Sequence, residues 1–384
     1  MSGRGPDLFS CDVDTIALDD EERLAWLRLI RTDKVGPALF RDLLDHCGTA
    51  QNALYALPEL SARGGARRKP KICSRSDAEA ELQRAADFGA QYVALGERAY
   101  PCRLTSVDNP PPLLAFKGND AMSQTDAVAI VGARNCSLSA SKFASRIAEQ
   151  LGDNGYVIAS GLARGIDAAA HKASLQSGTI AVFAGGLDRI YPPEHDRLID
   201  DILAQGGAIL SEMSFGFSPR GRDFPRRNRI VSGMSLGVVV IEAAQRSGTL
   251  HTARFALEQN REIFAVPGAP LDPRAEGCNR LIRQGAHLIT EVAHILEVLA
   301  PISGRQTGLS HRTASPRQTD QATPAEPSTP DRDQVLSALG KAPVGIDELI
   351  RHTGLPARTV QLILLELELA NRIERHAGQL VSLQ

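Results

Sequence analysis

The middle of the chain alternates apolar runs with amphipathic stretches. The apolar runs are nearly continuous, are rich in valine and isoleucine, and begin at Ala127, Tyr156, Thr179, Ala208, Leu236 and Glu262. Strands of a parallel sheet that is covered on both faces have this composition. Helical patterns such as SASKFASRIAEQLGDNG and LHTARFALEQN lie between the runs. The alternation predicts an α/β domain over 119–300, with a Rossmann-like, doubly wound and mostly parallel sheet.

The segment 1–118 follows a different pattern, typical of a small helical domain and a connector. Trp26, Leu27 and Ile30 share one helical face, and Gly36-Pro37 breaks the pattern before the next helix. A glycine-containing turn between helices can present N–H groups to a phosphate. The alternative is that Gly36 only ends a helix, which we favour because few basic residues lie nearby. The cationic stretch ARGGARRKPKICSR is expected to be a solvated linker, with DNA contact as the less favoured alternative.

The pattern changes again after the α/β domain. Segment 301–330 is rich in Ser, Thr, Pro and Gln and almost lacks large apolar residues, so it is predicted to be a flexible linker. Segment 331–384 has two helical patterns, a turn at Gly354-Leu355-Pro356, a third helix and a hairpin near Ala377-Gly378. That order of elements predicts a winged helix.

The charge balance requires any polyanion site to be local. The 384 residues carry 43 Lys+Arg and 45 Asp+Glu, a net charge of -2. A nucleic-acid binder with this balance has to concentrate its cations in one place. The six cysteines are scattered without metal or redox spacing and are expected to be reduced. No signal peptide or membrane-spanning run is apparent, so a cytoplasmic protein is expected.

Such a concentration of cations follows the predicted strands. Ligands of open parallel sheets bind beyond the carboxyl ends of the strands, where glycines let backbone N–H groups approach phosphates. Arginine forks match phosphate oxygens, and Phe224 lies among the arginines, where it either stacks a base or packs beneath the loop. The residues of the predicted single-stranded DNA site that follow from this reasoning are Gly161, Gly165, Phe224, the Ser247-Gly248-Thr249 turn and the seven arginines Arg134, Arg164, Arg220, Arg222, Arg226, Arg227 and Arg229. About two of the seven arginines are expected to form internal pairs instead, one of them with Glu212 or Glu242.

Other chemistries fit these residues less well. Gly132 is not followed by the glycines of a dinucleotide fingerprint. Asp167 and His171 lie four residues apart on one helix face, a spacing that suits a metal site or acid–base catalysis. Asp167 is better explained as a helix N-cap, and His171 as hydrogen-bonded to a neighbour. Glu212 and Glu242 end strands and are expected to orient Arg or Asn side chains, with a role as acids at the rim as the less favoured alternative. We therefore predict a non-catalytic binder with no metal or cofactor; the alternative is a Rossmann-type nucleotide-processing enzyme.

The same loops resemble the DNA-processing family known as DprA or Smf. The matching stretches are VAIVGAR, VIASGLARGIDAAAHKASL, TIAVFAGGLDRIYPPEH, ILSEM, FPRRNRIVSGMS, VVVIEAAQRSGTLHTARFALE, FAVPG and GCNRLIRQGA. The resemblance covers the α/β domain in order. The first segment looks like the family's sterile-alpha-motif-like helical domain, and the last looks like its winged helix.

The resemblance implies a protein that binds and protects incoming single-stranded DNA without sequence preference. By its motifs it assigns DNA contact to Arg134, Ser160, Gly161, Arg164, Gly165, Arg227, Asn228 and Arg229. It also implies loading of the RecA recombinase during natural transformation (competence) and recombination, and a homodimer formed through the Rossmann-like domain. The fold also resembles lysine-decarboxylase-like phosphoribohydrolases, but their Pro-Gly-Gly-x-Gly-Thr signature is missing before Thr249. In the winged helix, Glu366 and Glu368 would repel phosphates. Either that helix packs inward and the wing residues Arg372, Arg375 and His376 meet DNA, or the module binds protein, which we favour.

Overall fold

The structure is a computed structural model that describes residues 16–66, 68, 70–303, 327–376 and 378–384. The chain forms two compact units. The sheet unit consists of Met1–Leu18 with Glu79–Gly308, and the helical unit consists of Asp19–Ala78 with Leu309–Gln384.

A nine-stranded sheet organises the sheet unit. Its strands are β1 (Gln91–Ala94), β2 (Leu113–Gly118), β3 (Ala127–Gly132), β4 (Val157–Ser160), β5 (Thr179–Val182), β6 (Ala208–Ser211), β7 (Ser235–Ile241), β8 (Glu262–Ala265) and β9 (His287–Leu288). Their spatial order is β1-β2-β6-β5-β4-β3-β7-β8-β9. The pairs from β6 to β9 are parallel, whereas β1 and β2 are antiparallel to each other and β2 is antiparallel to β6. The predicted doubly wound, mostly parallel sheet is confirmed.

The helices of the sheet unit cover both faces of this sheet. They are α5 (Ala121–Gln124), α6 (Leu138–Asp153), α7 (Ile166–Ala173), α8 (Asp196–Ala204), α9 (Asp223–Gly233), α10 (Thr249–Glu258), α11 (Glu276–Arg283) and α12 (Ala293–Ile302). One buried cluster includes Val131, Ile180, Ile230 and Val238, and the cluster on the other face includes Ile130, Ile147 and Val239. Successive side chains of a strand point to opposite faces, which is why consecutive apolar residues serve two cores.

The sheet extends further toward the N-terminus than the sequence indicated. The expected boundary at residue 118 places β1 and β2 in the connector, yet both strands pair into the sheet edge. Tyr92, Leu114 and Phe116 on these strands are buried. Cys102, in a short 3-10 turn over Cys102–Ser106, is disulfide-bonded, so the expectation of reduced cysteines is wrong at that position.

The helical unit combines a segment from the first quarter of the chain with the C-terminal segment. Its helices are α1 (Asp20–Arg31), α2 (Pro37–Cys47), α3 (Ala50–Arg63), α13 (Thr329–Ala338), α14 (Ile346–Thr353) and α15 (Ala357–Leu369); α4 (Arg75–Asp87) crosses the unit boundary in sequence. A three-stranded sheet contains β10 (Val344–Gly345), β11 (Ile373–His376) and β12 (Leu380–Leu383). The predicted winged helix is confirmed, and its helix α15 packs against α3 and α2.

The predicted linker over 301–330 lies mostly outside the described residues. Its first residues belong to α12, which ends at Ile302, and its last begin α13, which Ser328 caps through a capping box with Asp331. Among the helices of the described part of the chain, none is long and apolar enough to cross a bilayer.

Candidate nucleic-acid interface

The loops that carry the predicted site meet where the strand order reverses. β3 pairs with β4 on one side and with β7 on the other, so the crevice beyond their carboxyl ends is the usual ligand position of an open α/β sheet. Gly165 shows how tightly the loops pack: its φ is +73°, and a Cβ there would lie 2.3 Å from the carbonyl oxygen of Ala133. Only glycine fits this approach of the β4 loop to the β3 loop.

Glu242 fixes one side of the crevice. It follows β7 with a φ of 51°, and its carboxylate accepts hydrogen bonds from the Ser137 backbone N–H at 2.8 Å and from the Ser137 hydroxyl at 2.6 Å. Ser137 is the N-cap of α6, so Glu242 ties the end of β7 to the start of that helix. The expectation that Glu242 orients an Arg or Asn is therefore wrong.

An arginine and two aromatic rings form the open part of the crevice. Arg134 is exposed, and its guanidinium carbon lies 5.2 Å from the ring centroid of Phe224. The ring of Tyr191, 49% exposed, lies 5.4 Å from Phe224 with an interplanar angle of 59°. Stacking of Arg134 on a ring holds the guanidinium in place without using its hydrogen-bond donors. Tyr191 was not among the predicted site residues, although its rim position after β5 was the available signal.

Arg164 is exposed beside the same open part of the crevice and forms an ion pair with Glu194. Its Nε hydrogen-bonds the carboxylate of Glu194, and both side chains face solvent. This contact lowers the pKa of Glu194 to about 2 and raises the pKa of Arg164. Glu194 thus occupies a position that a phosphate oxygen would take on Arg164.

The arginine-rich segment is helical rather than a loop. Asp223–Gly233 forms α9, so Phe224 and Arg226 to Arg229 lie on a helix, and only Arg220 and Arg222 precede it. Arg220 and Arg222 are exposed. The Arg220 backbone N–H donates to the carboxylate of Asp223 at 2.7 Å, which orders the approach to the helix.

Glu212 forms ion pairs with two of these arginines. The carboxylate is buried and pairs with the Nε of Arg226 at 2.7 Å and with Nη2 of Arg229. Arg229 is only 16% exposed and also donates to the backbone oxygen of Asn109 at 3.1 Å. The expected role of Glu212 in orienting arginines is confirmed, and Arg226, 46% exposed, keeps a solvent-facing side.

Arg227 lies beneath the crevice. It is 6% exposed, and its Nη1 donates to the carbonyl of Gly161 and to that of Val182 at 2.6 Å. Burial lowers the pKa of Arg227 to about 10, which leaves the guanidinium charged near neutral pH. A Cβ on Gly161 would lie 2.4 Å from Cζ of Arg227, so a larger residue there would displace the guanidinium. Burial raises the pKa of the nearby Asp167, and the positive charge of Arg227 opposes that rise.

Asp167 and His171 are structural. Gly165, not Asp167, is the N-cap of α7; Asp167 sits in the first turn and accepts from the backbone N–H groups of Gly161 and Ala163 at 3.1 and 3.3 Å. The N-cap interpretation is therefore wrong. Nδ1 of His171 lies 2.7 Å from the Thr179 hydroxyl, as expected for a hydrogen bond to a neighbour, whereas its buried Nε2 has no hydrogen-bond partner among the described residues. Burial lowers the pKa of His171 to about 3. Within the described ranges no group of three metal-ligating side chains occurs.

The remaining predicted residues divide between surface and core. Ser160 is fully buried, and its hydroxyl donates to the Ile130 carbonyl at 2.6 Å. Thr249 is buried and donates to the Gly132 carbonyl at 2.9 Å. Asn228 accepts from Nε of Arg227 and lies 3.4 Å from the Gly248 carbonyl, while Ser247 bonds Thr249. All of these contacts order the loops, but only Ser160 and Thr249 are buried; Asn228 and Ser247 are half-buried and Gly248 is exposed.

The recess between the loops is small. Arg134, Arg164, Tyr191 and Phe224 contribute to a volume of about 30 Å³. A cavity of that size holds about one water molecule, whereas small-molecule sites measure roughly 300–1,000 Å³. The crevice is therefore an open ledge of cations and rings rather than an enclosed pocket.

Family models match three segments of the chain. Residues 91–300 match the family described as DNA recombination-mediator protein A. The chain belongs to this family. Residues 20–84 match the DprA-like N-terminal HHH domain, and residues 319–379 match the DprA winged helix domain. The match to the recombination-mediator model begins at β1, in agreement with the strands that extend the sheet.

Relatives and solved structures agree with this assignment. The chain is 41% identical to Protein Smf of Escherichia coli over 74% of this chain and 75% of the relative. It is 44% identical to the DNA processing protein DprA of Streptococcus pneumoniae over 51% and 70%. The X-ray structure of DprA from the same species aligns with a TM-score of 0.61 at 32% identity, covering 73% of this chain and 98% of that chain. A Helicobacter pylori DNA processing protein A, studied for its single-stranded DNA binding mode, aligns with a TM-score of 0.50 at 31% identity over 55% and 97%.

Proposed function

We propose that the ledge binds single-stranded DNA without sequence preference. The observation that carries the proposal is the juxtaposition of exposed arginines with the Tyr191–Phe224 ring pair. Arg134, Arg164, Arg220 and Arg222 are exposed and can pair with backbone phosphates. Aromatic rings stack on any base that is not paired in a duplex. A ledge that supplies both contacts favours a single strand over a duplex.

The protein acts without catalysis in this proposal. The recess of about 30 Å³ is much smaller than a nucleotide, and the buried Asp167 and His171 are engaged with backbone and Thr179. A phosphoribohydrolase-like activity is the rival function. Incubation with nucleoside monophosphates tests it: release of free base that Glu242→Gln abolishes would overturn the non-catalytic proposal.

The biological role we propose is protection of incoming single-stranded DNA in the cytoplasm and loading of RecA on it during transformation and recombination. The support is membership of a recombination-mediator family and similarity to relatives named DNA processing protein DprA. Pull-down of RecA with the purified chain, in the presence and absence of oligonucleotide, tests the partner. Absence of RecA from both pull-downs would contradict the loading role.

We also propose a homodimer formed through the sheet unit. Support comes from the sheet edge at β9, where Leu288 is exposed, and from a groove of about 400 Å³ beside it that Leu257, 70% exposed, helps to line. Light scattering of the parent and of Leu257→Glu tests the dimer. A monomeric parent would contradict it.

The decisive experiment compares binding of single- and double-stranded oligonucleotides by gel shift. Arg134→Ala and Arg164→Ala should each weaken single-strand binding and reduce the salt slope by about 0.7, the contribution of one neutralised phosphate. Arg146→Ala is the matched control, because Arg146 is also exposed and lies 5.1 Å from the centroid of a phenylalanine ring, that of Phe143 on α6. Equal loss in all three variants would place the site elsewhere.

A further inference from the structure

The recognition helix of the winged helix is already occupied. α15 packs against α3 so closely that a Cβ on Gly64 would lie 1.8 Å from the Glu366 carbonyl oxygen. Arg375 bridges two modules, the winged helix and the N-terminal helices α1 to α3. Its Nη2 lies 2.6 Å from the carboxylate of Asp42, and its Nε lies 2.8 Å from that of Glu368. Because α15 is engaged in this way, it is not free to enter a DNA groove.

The acidic residues of α15 are accounted for by the same packing. Glu366 is 1% exposed and accepts two hydrogen bonds from Arg332, at 2.7 and 2.8 Å. Burial raises the pKa of Glu368, while Arg375 opposes that rise. The expectation that α15 could pack inward is therefore confirmed, whereas contact of the wing with DNA stays a prediction. The wing residues Arg375 and His376 are also engaged, Arg375 with Asp42 and Glu368 and His376 with the Ser382 hydroxyl at 2.8 Å.

Docking of the two modules creates a cationic cleft, lined by Lys34, Gly65, Ala66, Arg68, Ala370, Asn371 and Arg372, with a volume of about 610 Å³. Its three cations come from three separate turns: Lys34 precedes α2, Arg68 follows α3, and Arg372 lies between α15 and β11. All three are exposed, and within the described part of the chain none has an ion pair or a side-chain hydrogen bond. The rest of the lining is uncharged. This contrasts with Arg332 and Arg375, which are both neutralised by carboxylates.

We propose that the cationic cleft is a second nucleic-acid site, which binds the phosphodiester backbone. Three unpaired cations spread around an open cleft match an extended polyanion better than a single phosphate, which needs convergent donors. The N-terminus of α2, whose N-cap Gly36 provides no side chain, begins three residues after Lys34 and adds a favourable dipole. No aromatic side chain lines the cleft among the described residues, so bases contribute no stacking. The cleft should therefore accept single and double strands alike.

The cationic loop of the sequence takes part in this site. Arg68 belongs to the stretch ARGGARRKPKICSR, for which DNA contact was the less favoured alternative. Arg67 and Lys69 of that stretch lie outside the described residues. The sequence also favoured the alternative that Gly36 only ends a helix, because few basic residues lie near it along the chain. The fold supplies those residues from elsewhere, since Arg68 and Arg372 reach the same cleft as Lys34.

The test uses the full chain with a ledge weakened by Arg134→Ala and Arg164→Ala, so that residual binding reports on the cleft. Fluorescence anisotropy is measured against salt with a labelled single strand and with its duplex. Adding Lys34→Gln, Arg68→Gln and Arg372→Gln should reduce the salt slope for duplex by about 2.7, since each phosphate contributes about 0.9, and for single strand by about 2. The matched control adds Arg41→Gln, Lys341→Gln and Arg351→Gln, which remove the same charge from exposed positions of the helical unit outside the cleft lining.

Loss of slope in the cleft variant but not in the control supports the second site. Equal slopes in both would overturn it, as would the absence of residual binding once the ledge is weakened. Loss on the duplex alone or on the single strand alone would contradict a backbone site without base contacts. The proposed function fails separately: in that case the ledge substitutions by themselves leave single-strand affinity unchanged.

Discussion

Glu194 holds the guanidinium of Arg164 at the solvent-facing edge of the ledge. Both side chains are exposed, at 47% and 61%. A nucleic-acid phosphate that reaches Arg164 must therefore displace a carboxylate of the protein itself. The carboxylate of Glu194 is the partner of Arg164 when no nucleic acid is bound, and it competes with a phosphate for the same guanidinium.

Replacing Glu194 should strengthen DNA binding. Glu194→Gln removes the competing charge, so we expect single-strand affinity to rise about twofold to fivefold, the range typical of an exposed charge pair. Anisotropy titrations at low salt measure the change. Asp196→Asn, two residues away and exposed, controls for the altered net charge. A weaker complex with Glu194→Gln would show that Glu194 positions Arg164 for the ligand instead.

Arg227 and Arg134 should respond differently to truncation. Arg227→Ala leaves the Gly161 and Val182 carbonyls unpaired and removes the cation near Asp167, so we expect a loss of about 2–4 kcal/mol in the free energy of unfolding. Arg134→Ala should change it by less than about 0.5 kcal/mol, as for other surface substitutions, while weakening DNA binding. Urea unfolding and anisotropy separate the two effects. If Arg227→Ala unfolds like the parent yet loses DNA, Arg227 contacts the ligand directly.

The Tyr191–Phe224 pair should contribute stacking energy. Phe224→Ala and Tyr191→Ala are each expected to weaken single-strand binding by about 1–3 kcal/mol, the usual value of one stacked base. Tyr191→Phe keeps the ring and should bind like the parent. If Phe224→Leu, which retains an apolar side chain of similar reach, also binds like the parent, then Phe224 packs beneath the ledge rather than stacking a base.

His171 should make stability depend on pH. Its pKa is about 3 in the folded chain because burial disfavours the charged ring, against about 6.5 when unfolded. Below about pH 6.5 the unfolded chain takes up a proton that the folded chain refuses, so this contribution to stability is lost as the pH falls toward 3. We expect a slope of about 1.4 kcal/mol per pH unit from this group. His171→Gln should remove that slope from urea unfolding between about pH 4 and pH 6; an unchanged slope would mean that the ring is protonated in the folded state.

The Arg332–Glu366 pair should anchor the winged helix. Arg332→Ala leaves the buried carboxylate of Glu366 without its bidentate partner, so we expect a loss of about 3 kcal/mol in the stability of the helical unit. The double variant Arg332→Met with Glu366→Leu should recover most of it, because it removes both charges together. Thermal unfolding measures both variants. Equal destabilisation by the single and double variants would show that packing, not the unpaired charge, sets the cost.

The sequence by itself determined the class of fold and the location of the ledge. The runs that begin at Ala127 and Leu236 became β3 and β7, because a strand buried on both faces has to be apolar throughout. Residues that follow parallel strands meet at one sheet edge, so their arginines were expected to cluster. The edge strands β1 and β2 were not predicted, since no α-helix separates the two and they lie outside the alternation of strands and helices that identified β3 to β8.

Only the tertiary structure decided which of the clustered side chains face solvent. Ser160 and Arg134 both follow strands, yet Ser160 is buried against the Ile130 carbonyl and Arg134 is exposed over Phe224. Arg226 and Arg229 share Glu212, which directly follows β6 and is separated from their helix α9 by a loop. The cationic cleft likewise joins Lys34 to Arg372 across most of the chain. Local patterns specify which element a residue belongs to, but burial and charge pairing depend on neighbours that are distant in sequence and are brought close only by folding.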